Sequence, residues 1–289
     1  KTLMTMITII PQPSSVELLE DRFELLPETR IVADRHAMAC AEKLAEALRR
    51  VTGYPFRISE QTGPVDLSPH IHLGLDGKLT RLGREGYLLR VTTDGIALAA
   101  LTESGLFYAV QSLFQLLPAA IFSPCVRKDI PWLIGCLAIQ DVPRFGWRGA
   151  MLDCARYFMP KEFVMKFIDL LALHKLNIFH WHLTDDQGWR IEIKKYPELT
   201  RVGAWRRESP IGHVESAAGG DGKAHGGFYS QEDIREIVAY AASRQVTIVP
   251  EIDMPGHMCA AIASDPQLGC TSQKVEVSTH WGVHEVLLN

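Results

Sequence analysis

Charge of one sign is nowhere gathered into a block, cysteines are nowhere paired at close spacing, and no apolar run is long enough to cross a bilayer. A net charge of −4 from 30 basic and 34 acidic residues leaves no basic field for nucleic acid or an anionic membrane surface. The longest apolar stretches, such as Leu113 to Phe122, are interrupted and too short to span a membrane. Cys40, Cys125, Cys136, Cys154, Cys259 and Cys270 form no CxxC and no Cys/His zinc spacing, in a chain too large to need a disulfide framework. They are expected to be mostly buried thiols, which leans toward a reducing, cytoplasmic setting without fixing the localisation. No signal peptide is evident, because Pro11 and Pro13 stop the apolar opening and no small-residue cleavage site follows. Met4-Thr5-Met6-Ile7-Thr8 resembles a cloning-vector leader, so residues 1 to about 8 are expected to be foreign to the natural chain.

What is present suits a soluble globular chain, 47% hydrophobic and 22% charged, able to bury one large core or two medium ones. The first half alternates strands and helices: a strand at Thr29 to Ala33, a helix over Ala37 to Arg50, strands at Phe56 to Ser59 and His70 to Leu75. Tyr87 to Thr93 and Ile96 to Leu101 flank Asp94-Gly95, whose tolerance of positive φ suits a two-residue hairpin turn. Ser104 is expected to cap an apolar-periodic helix running through Leu116. Residues 1–143 therefore read as an α+β domain.

From residue 144 to 289 the grammar changes to strands apolar on both faces, each followed by an amphipathic helix, the pattern of a parallel sheet covered by helices. The pieces are a strand at Arg148 to Cys154, a helix at Lys161 to Lys175, a strand at Asn177 to His182, a helix at Gln231 to Arg244 and a strand at Thr247 to Ile252. The fold class is α/β, an N-terminal α+β domain followed by an incomplete TIM (β/α)8 barrel, since eight such units are needed and about three are present. Gly212 to Gly227, rich in Gly, Ala and His, is expected to be a mobile surface loop. Three parallel strands leave an unpaired edge and an apolar inner face, so the chain is expected to self-associate or to recruit a complementing barrel fragment.

Reacting groups of βα barrels sit where strands end and loops begin. The first strand begins Trp147-Arg148-Gly149 and carries Asp153 and Arg156. The second ends His180-Trp181-His182-Leu183-Thr184-Asp185-Asp186-Gln187-Gly188-Trp189-Arg190, and the third is Pro250-Glu251-Ile252-Asp253-Met254-Pro255-Gly256-His257. Charged groups concentrated in this way are hard to explain by packing, because charges are rarely buried unless paired. One alternative is metal-dependent hydrolysis: His180 and His182, two apart on a strand, point to one side, and Asp253 or His257 could add ligands. A structural ion-pair layer is the bland alternative.

The stretches WRGAMLDCARYFMPKEF, LNIFHWHLTDDQGWRIEIKKYPELTRVGAW, GGFYSQEDIREIVAYAASRQVTIVPEIDMPGH and VSTHWGV resemble, in order and spacing, the family-20 glycoside hydrolases, the β-N-acetylhexosaminidases. IIPQPSSVELL and GLFYAVQSLFQLL resemble that family's non-catalytic α+β domain, so the likeness runs from about Ile9 to the last residue.

This resemblance implies removal of terminal N-acetylglucosamine or N-acetylgalactosamine with retention, the substrate's own 2-acetamido oxygen attacking the anomeric carbon. It implies no metal and no cofactor, and as partners N-acetylhexosamine-terminated glycans or chito-oligosaccharides. The family's general acid Glu and its Asp neighbour lie in a His-x-Gly-Gly-Asp-Glu motif on the fourth strand, absent here, so this chain alone is expected to be inactive. A non-catalytic carbohydrate-binding relic of the family is the other alternative. By the same resemblance Arg148 binds the sugar hydroxyls, Asp185 and His257 form a relay that tunes the missing Glu, and Asp253 braces His257. After Arg156 the family usually has His where Tyr157 stands, and Trp181, Trp189, Trp205 and Trp281 are expected to be packing or loop residues.

Overall fold

The structure is a computed structural model, and it describes residues 8–63, 69–212, 219–271 and 273–289. The leader-like residues 1–7 and the stretch 213–218 of the Gly-rich segment lie outside the described residues. Backbone contacts divide the chain into two compact units: residues up to Gly146 together with Ala172–Lys175, and Trp147–Leu171 together with Leu176–Asn289.

The N-terminal unit runs β1 (Ser15–Glu24), β2 (Arg30–Ala33), α1 (Met38–Thr52), β3 (Ile58–Glu60), β4 (His70–Leu75), β5 (Tyr87–Val91), β6 (Gly95–Ala100), α2 (Glu103–Leu116) and β7 (Leu133–Asp141). Its strands form one sheet in the order β1-β7-β5-β6-β4-β2-β3. The β1, β7, β5 and β6 neighbours are antiparallel, whereas β6, β4, β2 and β3 run parallel. Ala41, Leu44, Ala45, Leu48 and Val51 recur at helical spacing and form the buried face of α1. Gly53, at φ 73°, closes that helix in the left-handed conformation and donates its N–H to the Arg49 carbonyl.

Two local expectations are corrected here. The N-cap of α2 is Thr102, whose hydroxyl accepts from the Gly105 N–H, so Ser104 lies inside the first turn. The hairpin turn is shifted by one residue. Val91 pairs with Ile96 and Thr92 donates to the Gly95 carbonyl, leaving Thr93-Asp94 at the tip. Gly95 is needed for close packing instead, since a Cβ there would stand 2.6 Å from the His70 carbonyl oxygen of the neighbouring strand.

The C-terminal unit runs β8 (Gly149–Asp153), α3 (Lys161–Leu173), β9 (Ile178–Asp185), β10 (Gly188–Trp189), α4 (Glu198–Arg201), β11 (Trp205–Arg206), β12 (His225–Gly226), α5 (Gln231–Ala242), β13 (Thr247–Ile252) and α6 (Cys259–Ser264). β9 lies between β8 and β13 and is parallel to both, with Ile178 opposite Gly149 on one side and Thr247 on the other. This is α/β architecture of the opening βα units of a barrel. Seven of the eight β9 residues are buried, while β8 and β13 remain partly open, Met151 being 51% exposed. Ser230 and Asp233 start α5 with a reciprocal capping box, each side chain bonding the other's backbone N–H.

β9 continues through a tight turn into β10, where Gly188 pairs with Asp185. Trp189, Leu199, Met258, Ala260, Ala261, Ile262 and Val277 pack as one apolar cluster and hold this turn against α4 and α6. The Gly-rich segment is more ordered at its end than expected: His225 and Gly226 form β12, paired antiparallel with β11. The cysteines are all free, but only Cys136, Cys154 and Cys259 are buried, whereas Cys125 and Cys270 are exposed.

Candidate active site

The C-terminal ends of β8, β9 and β13 bring their charged residues together in one alternating network. At the end of β8, Asp153 Oδ1 accepts the N–H groups of Ala155 at 3.0 Å and Arg156 at 2.9 Å, curling the chain so that Arg156 turns back. The Arg156 guanidinium then bridges two carboxylates, 2.8 Å from Asp153 Oδ2 and 2.8 Å from Asp185 Oδ2. Partial burial opposes its charge, but the bond to Asp153 and the field of Asp185 hold its pKa above the usual value.

Asp185 is wholly buried and accepts at both oxygens. Oδ2 takes the Arg156 bond and a second from His182 Nε2 at 2.8 Å, while Oδ1 accepts the Asp186 N–H at 2.8 Å and lies 3.2 Å from His257 Nδ1. The other ring nitrogen of His182, Nδ1, is 2.8 Å from Glu251 Oε2 on β13, close enough for an ion pair though off the hydrogen-bond direction. His180 Nε2 meets the same Glu251 oxygen. Burial works against charge on His182, yet its bond to Asp185 and the Glu251 carboxylate beside it prevail and raise its pKa to about 9. For Glu251, burial is likewise outweighed by the histidines, which hold the carboxyl below its ordinary range.

His257 sits at the turn after β13 with φ 54°, and its Nδ1 lies 2.9 Å from Asp186 Oδ2. That bond raises its pKa against partial burial, with Asp185 and Asp253 adding to the effect through charge. Asp186 is anchored in turn, since Oδ1 accepts the Cys259 N–H at 3.1 Å and its carbonyl accepts the Ser278 N–H at 3.0 Å. The side of the imidazole opposite Asp186 makes no hydrogen bond among the described residues.

Beneath this layer lies Arg190, fully buried and, among the described residues, without a carboxylate partner. It donates instead to backbone carbonyls of four loops: Cys154 at 3.0 Å, Ala155 at 2.8 Å, Ala204 at 2.6 Å and Gln187 at 3.3 Å, with Gly227 at 3.2 Å. Burial, then the neighbouring Arg206, lower its pKa to about 10, which still leaves it charged at neutrality. Arg206 reaches the Arg156 carbonyl at 2.6 Å and lies 5.4 Å from the Trp281 ring centre. Tyr157, half exposed, stacks on His225 at 4.1 Å between ring centres. His225 Nε2 accepts the Phe158 N–H, and burial followed by Arg206 and Arg190 lowers its pKa to about 4, so this ring is neutral.

The expected site residues are thus only partly united. Asp185 and His257 meet, but Asp186, passed over in the sequence, is the nearer partner of His257. Asp253 makes no hydrogen bond to His257 among the described residues. Its N–H donates to Thr184 Oγ1 at 3.0 Å, and its carboxylate groups with His182 and Glu251. Arg148 stands at the other end of β8. It precedes β8, and its backbone bonds Asn177 and Ile178 at the start of β9, so it marks the N-terminal end of the strand whose far end carries Asp153. The arginine at the chemical end is Arg156. Period-two spacing does put His180 and His182 on one side, as the metal reading requires, but a Glu251 oxygen stands between them. Two groups, His182 with Glu251 and Asp253, and Asp185 with Asp186 and His257, have donor atoms within 4.8 Å of one another, the spacing a cation would need. In both, histidine and arginine already supply positive charge. Trp181 and Trp189 are buried packing residues, and Trp205 is 50% exposed.

Comparison with known proteins bears on what this geometry serves. The family model described as glycosyl hydrolase family 20, catalytic domain, matches residues 145–289, and its domain 2 model matches residues 6–142. A β-hexosaminidase of Porphyromonas gingivalis is 41% identical over 280 residues, which is 96% of this chain and 34% of that protein. The structure of a β-N-acetylhexosaminidase from Streptomyces coelicolor aligns with TM-score 0.84 and 38% identity, over 97% of this chain and 53% of that one. An exo-β-N-acetylglucosaminidase from Vibrio harveyi, solved with N-acetylglucosamine, aligns with TM-score 0.76 and 35% identity, over 97% of this chain and 42% of its own. The chain thus spans about a third to a half of these relatives. With both family models matched in order and relatives more than a third identical along nearly its whole length, the chain belongs to glycosyl hydrolase family 20.

Proposed function

We propose that this chain is the sugar-binding and proton-positioning part of a glycoside hydrolase that releases terminal N-acetylglucosamine or N-acetylgalactosamine from glycans or chito-oligosaccharides. The observation that carries the reading is the meeting of His257 with Asp186 and Asp185 at the ends of adjacent parallel strands, in a chain matched by the family's catalytic model. Support for the substrate class comes from the relatives, one of them a diacetylchitobiase 34% identical over 267 residues and another solved with N-acetylglucosamine.

In this reading the substrate's acetamide oxygen attacks the anomeric carbon while a carboxylic acid protonates the departing glycosidic oxygen. His257, holding its Nδ1 proton against Asp186 and Asp185, turns its other edge toward that acid and keeps it able to donate near neutrality. Arg148 is the cation that the family resemblance assigns to the sugar hydroxyls, and Arg156, part exposed at the C-terminal end of β8 and paired with Asp153 and Asp185, holds the carboxylates in place. Asp253 shapes the same field through charge. The acid itself is assigned to a Gly-Gly-Asp-Glu stretch that these 289 residues do not contain; Gly219-Gly220-Asp221 is followed by Gly222.

The test is turnover of a chromogenic N-acetylglucosaminide by the 289-residue chain, with and without a co-expressed polypeptide carrying further barrel strands. No turnover alone and turnover with the complement are expected, since general acid catalysis supplies about 10²- to 10⁴-fold. Turnover by the chain alone, abolished by changing one of its own carboxylates, would overturn the division of labour. Sugar binding without turnover by the complemented protein would favour the non-catalytic relic.

A further inference from the structure

His182 is the one histidine of the site whose two ring nitrogens both face carboxylates. Nε2 lies 2.8 Å from Asp185 Oδ2 and Nδ1 lies 2.8 Å from Glu251 Oε2, and the side chain is only 4% exposed. An ionised carboxylate can only accept, so Nε2, bonded to Asp185, carries a proton; Nδ1 lies off the hydrogen-bond direction but at ion-pair distance from Glu251, and two carboxylates this close on opposite edges favour the imidazolium. The groups facing it are Asp153 and Arg156 from the end of β8, Asp185 from its own strand, and Glu251 and Asp253 from β13, with His180 sharing the Glu251 oxygen. Arg156 Nη1, 3.4 Å from Nε2, is a second donor and cannot be its partner if the ring is charged. Both cations therefore converge on Asp185 Oδ2, leaving Oδ1 for the Asp186 N–H and His257.

We propose that His182 is a positioning residue, a fixed imidazolium strut between Asp185 and Glu251 that orients Asp185 and limits how strongly that carboxylate attracts the proton on His257. The proposal rests on the reading of His257 given above for its catalytic meaning, but not for its test. Removing the cation leaves Asp185 more negative toward His257, so the proton on His257 should be held more tightly. A residue that merely filled space would, when replaced, leave the His257 proton alone. If the site came apart, that proton would instead be lost more readily.

The experiment is ¹⁵N-imidazole NMR of the 289-residue chain as a function of pH. In the unaltered protein, His182 is expected to show both nitrogens protonated at pH 7.5, where an ordinary histidine is neutral. In His182→Gln the His257 midpoint should move upward by about half a pH unit or more, the order expected for loss of one nearby charge. Glu251→Gln, at the partly exposed end of the strut, is the second variant should His182→Gln fail to fold. It should lower the pH at which His182 loses its charge while Asp185 stays bonded. A neutral His182 at pH 7.5, an unmoved His257 midpoint in folded His182→Gln, or an unmoved His182 midpoint in Glu251→Gln would each overturn the proposal. So would displacement of the His182 proton by one equivalent of zinc, which would make the cluster a metal site. Because none of these readouts needs turnover, failure of the chromogenic assay would sink the hydrolase reading and leave the strut standing.

Discussion

Arg148 and Arg156 stand eight positions apart, at opposite ends of β8. Replacing Arg148 by Ala in a complemented barrel should weaken sugar binding by about 1.5 to 3 kcal/mol, the range for a hydrogen bond involving a charged group, read as a raised KM. An Arg148→Ala protein with unchanged KM and kcat would remove the assignment. The charged state of His182 also links stability to pH. Its folded pKa of about 9 lies above the usual 6.5, so its contribution is complete below pH 6.5 and is lost as pH rises through 9. The upper bound is about 3 kcal/mol, read as the fall in urea midpoint between pH 6.5 and 9, and His182→Gln should flatten that fall. His257, also raised, acts in the same direction. The sequence made legible that acids and bases gather at strand ends, because strand polarity follows from the βα order. It did not reveal which of the consecutive residues Asp185 and Asp186 faces His257, since a tight turn, not a periodicity, sets their directions. Nor did spacing along β9 disclose Glu251, which reaches both histidines from a different strand.

Among the elements, the β9–β10 turn is the one most exactingly built. A Cβ on Gly188 would stand 2.1 Å from Arg190 Cζ. That guanidinium cannot swing aside, because its donors are engaged with the carbonyls of four loops. Gly188→Ala should therefore destabilise the C-terminal unit by about 1 to 3 kcal/mol, as overpacking does. Gly77→Ala, where a side chain meets nothing within 4 Å, is the near-neutral control, and urea unfolding of both checks the contrast. Elements with clean periodicity were legible: β4 and β13 have the expected bounds, and α1, α3 and α5 differ only at their ends. β1 and β7 were not. β1 breaks its alternation at a bulge between Leu18 and Arg22, with Asp21 at φ 75°, and most of its side chains are exposed. β7 buries Cys136 and Leu137 in succession, which hides a period of two.

At the scale of the molecule, no described helix is long and apolar enough to cross a membrane. The outer edges of β8 and β13 carry no further parallel strand among the described residues, while β9 is bonded along both of its own. We propose that added barrel strands, or a second copy, pair with those edges. The placement of β9 orders the molecule in time as well as in space. Its amide hydrogens, shut between two neighbours and buried on both faces, can meet deuterated solvent only when the C-terminal unit opens as a whole, so their exchange reports that unit's global free energy. Outward-facing amides of β8 and β13 should exchange much sooner in the isolated chain. On adding the complementing polypeptide they should slow toward the β9 rate, whereas unchanged exchange at these edges would mean that nothing has docked there. Deuterium uptake thus times the completion of the sheet without requiring the enzyme to turn over.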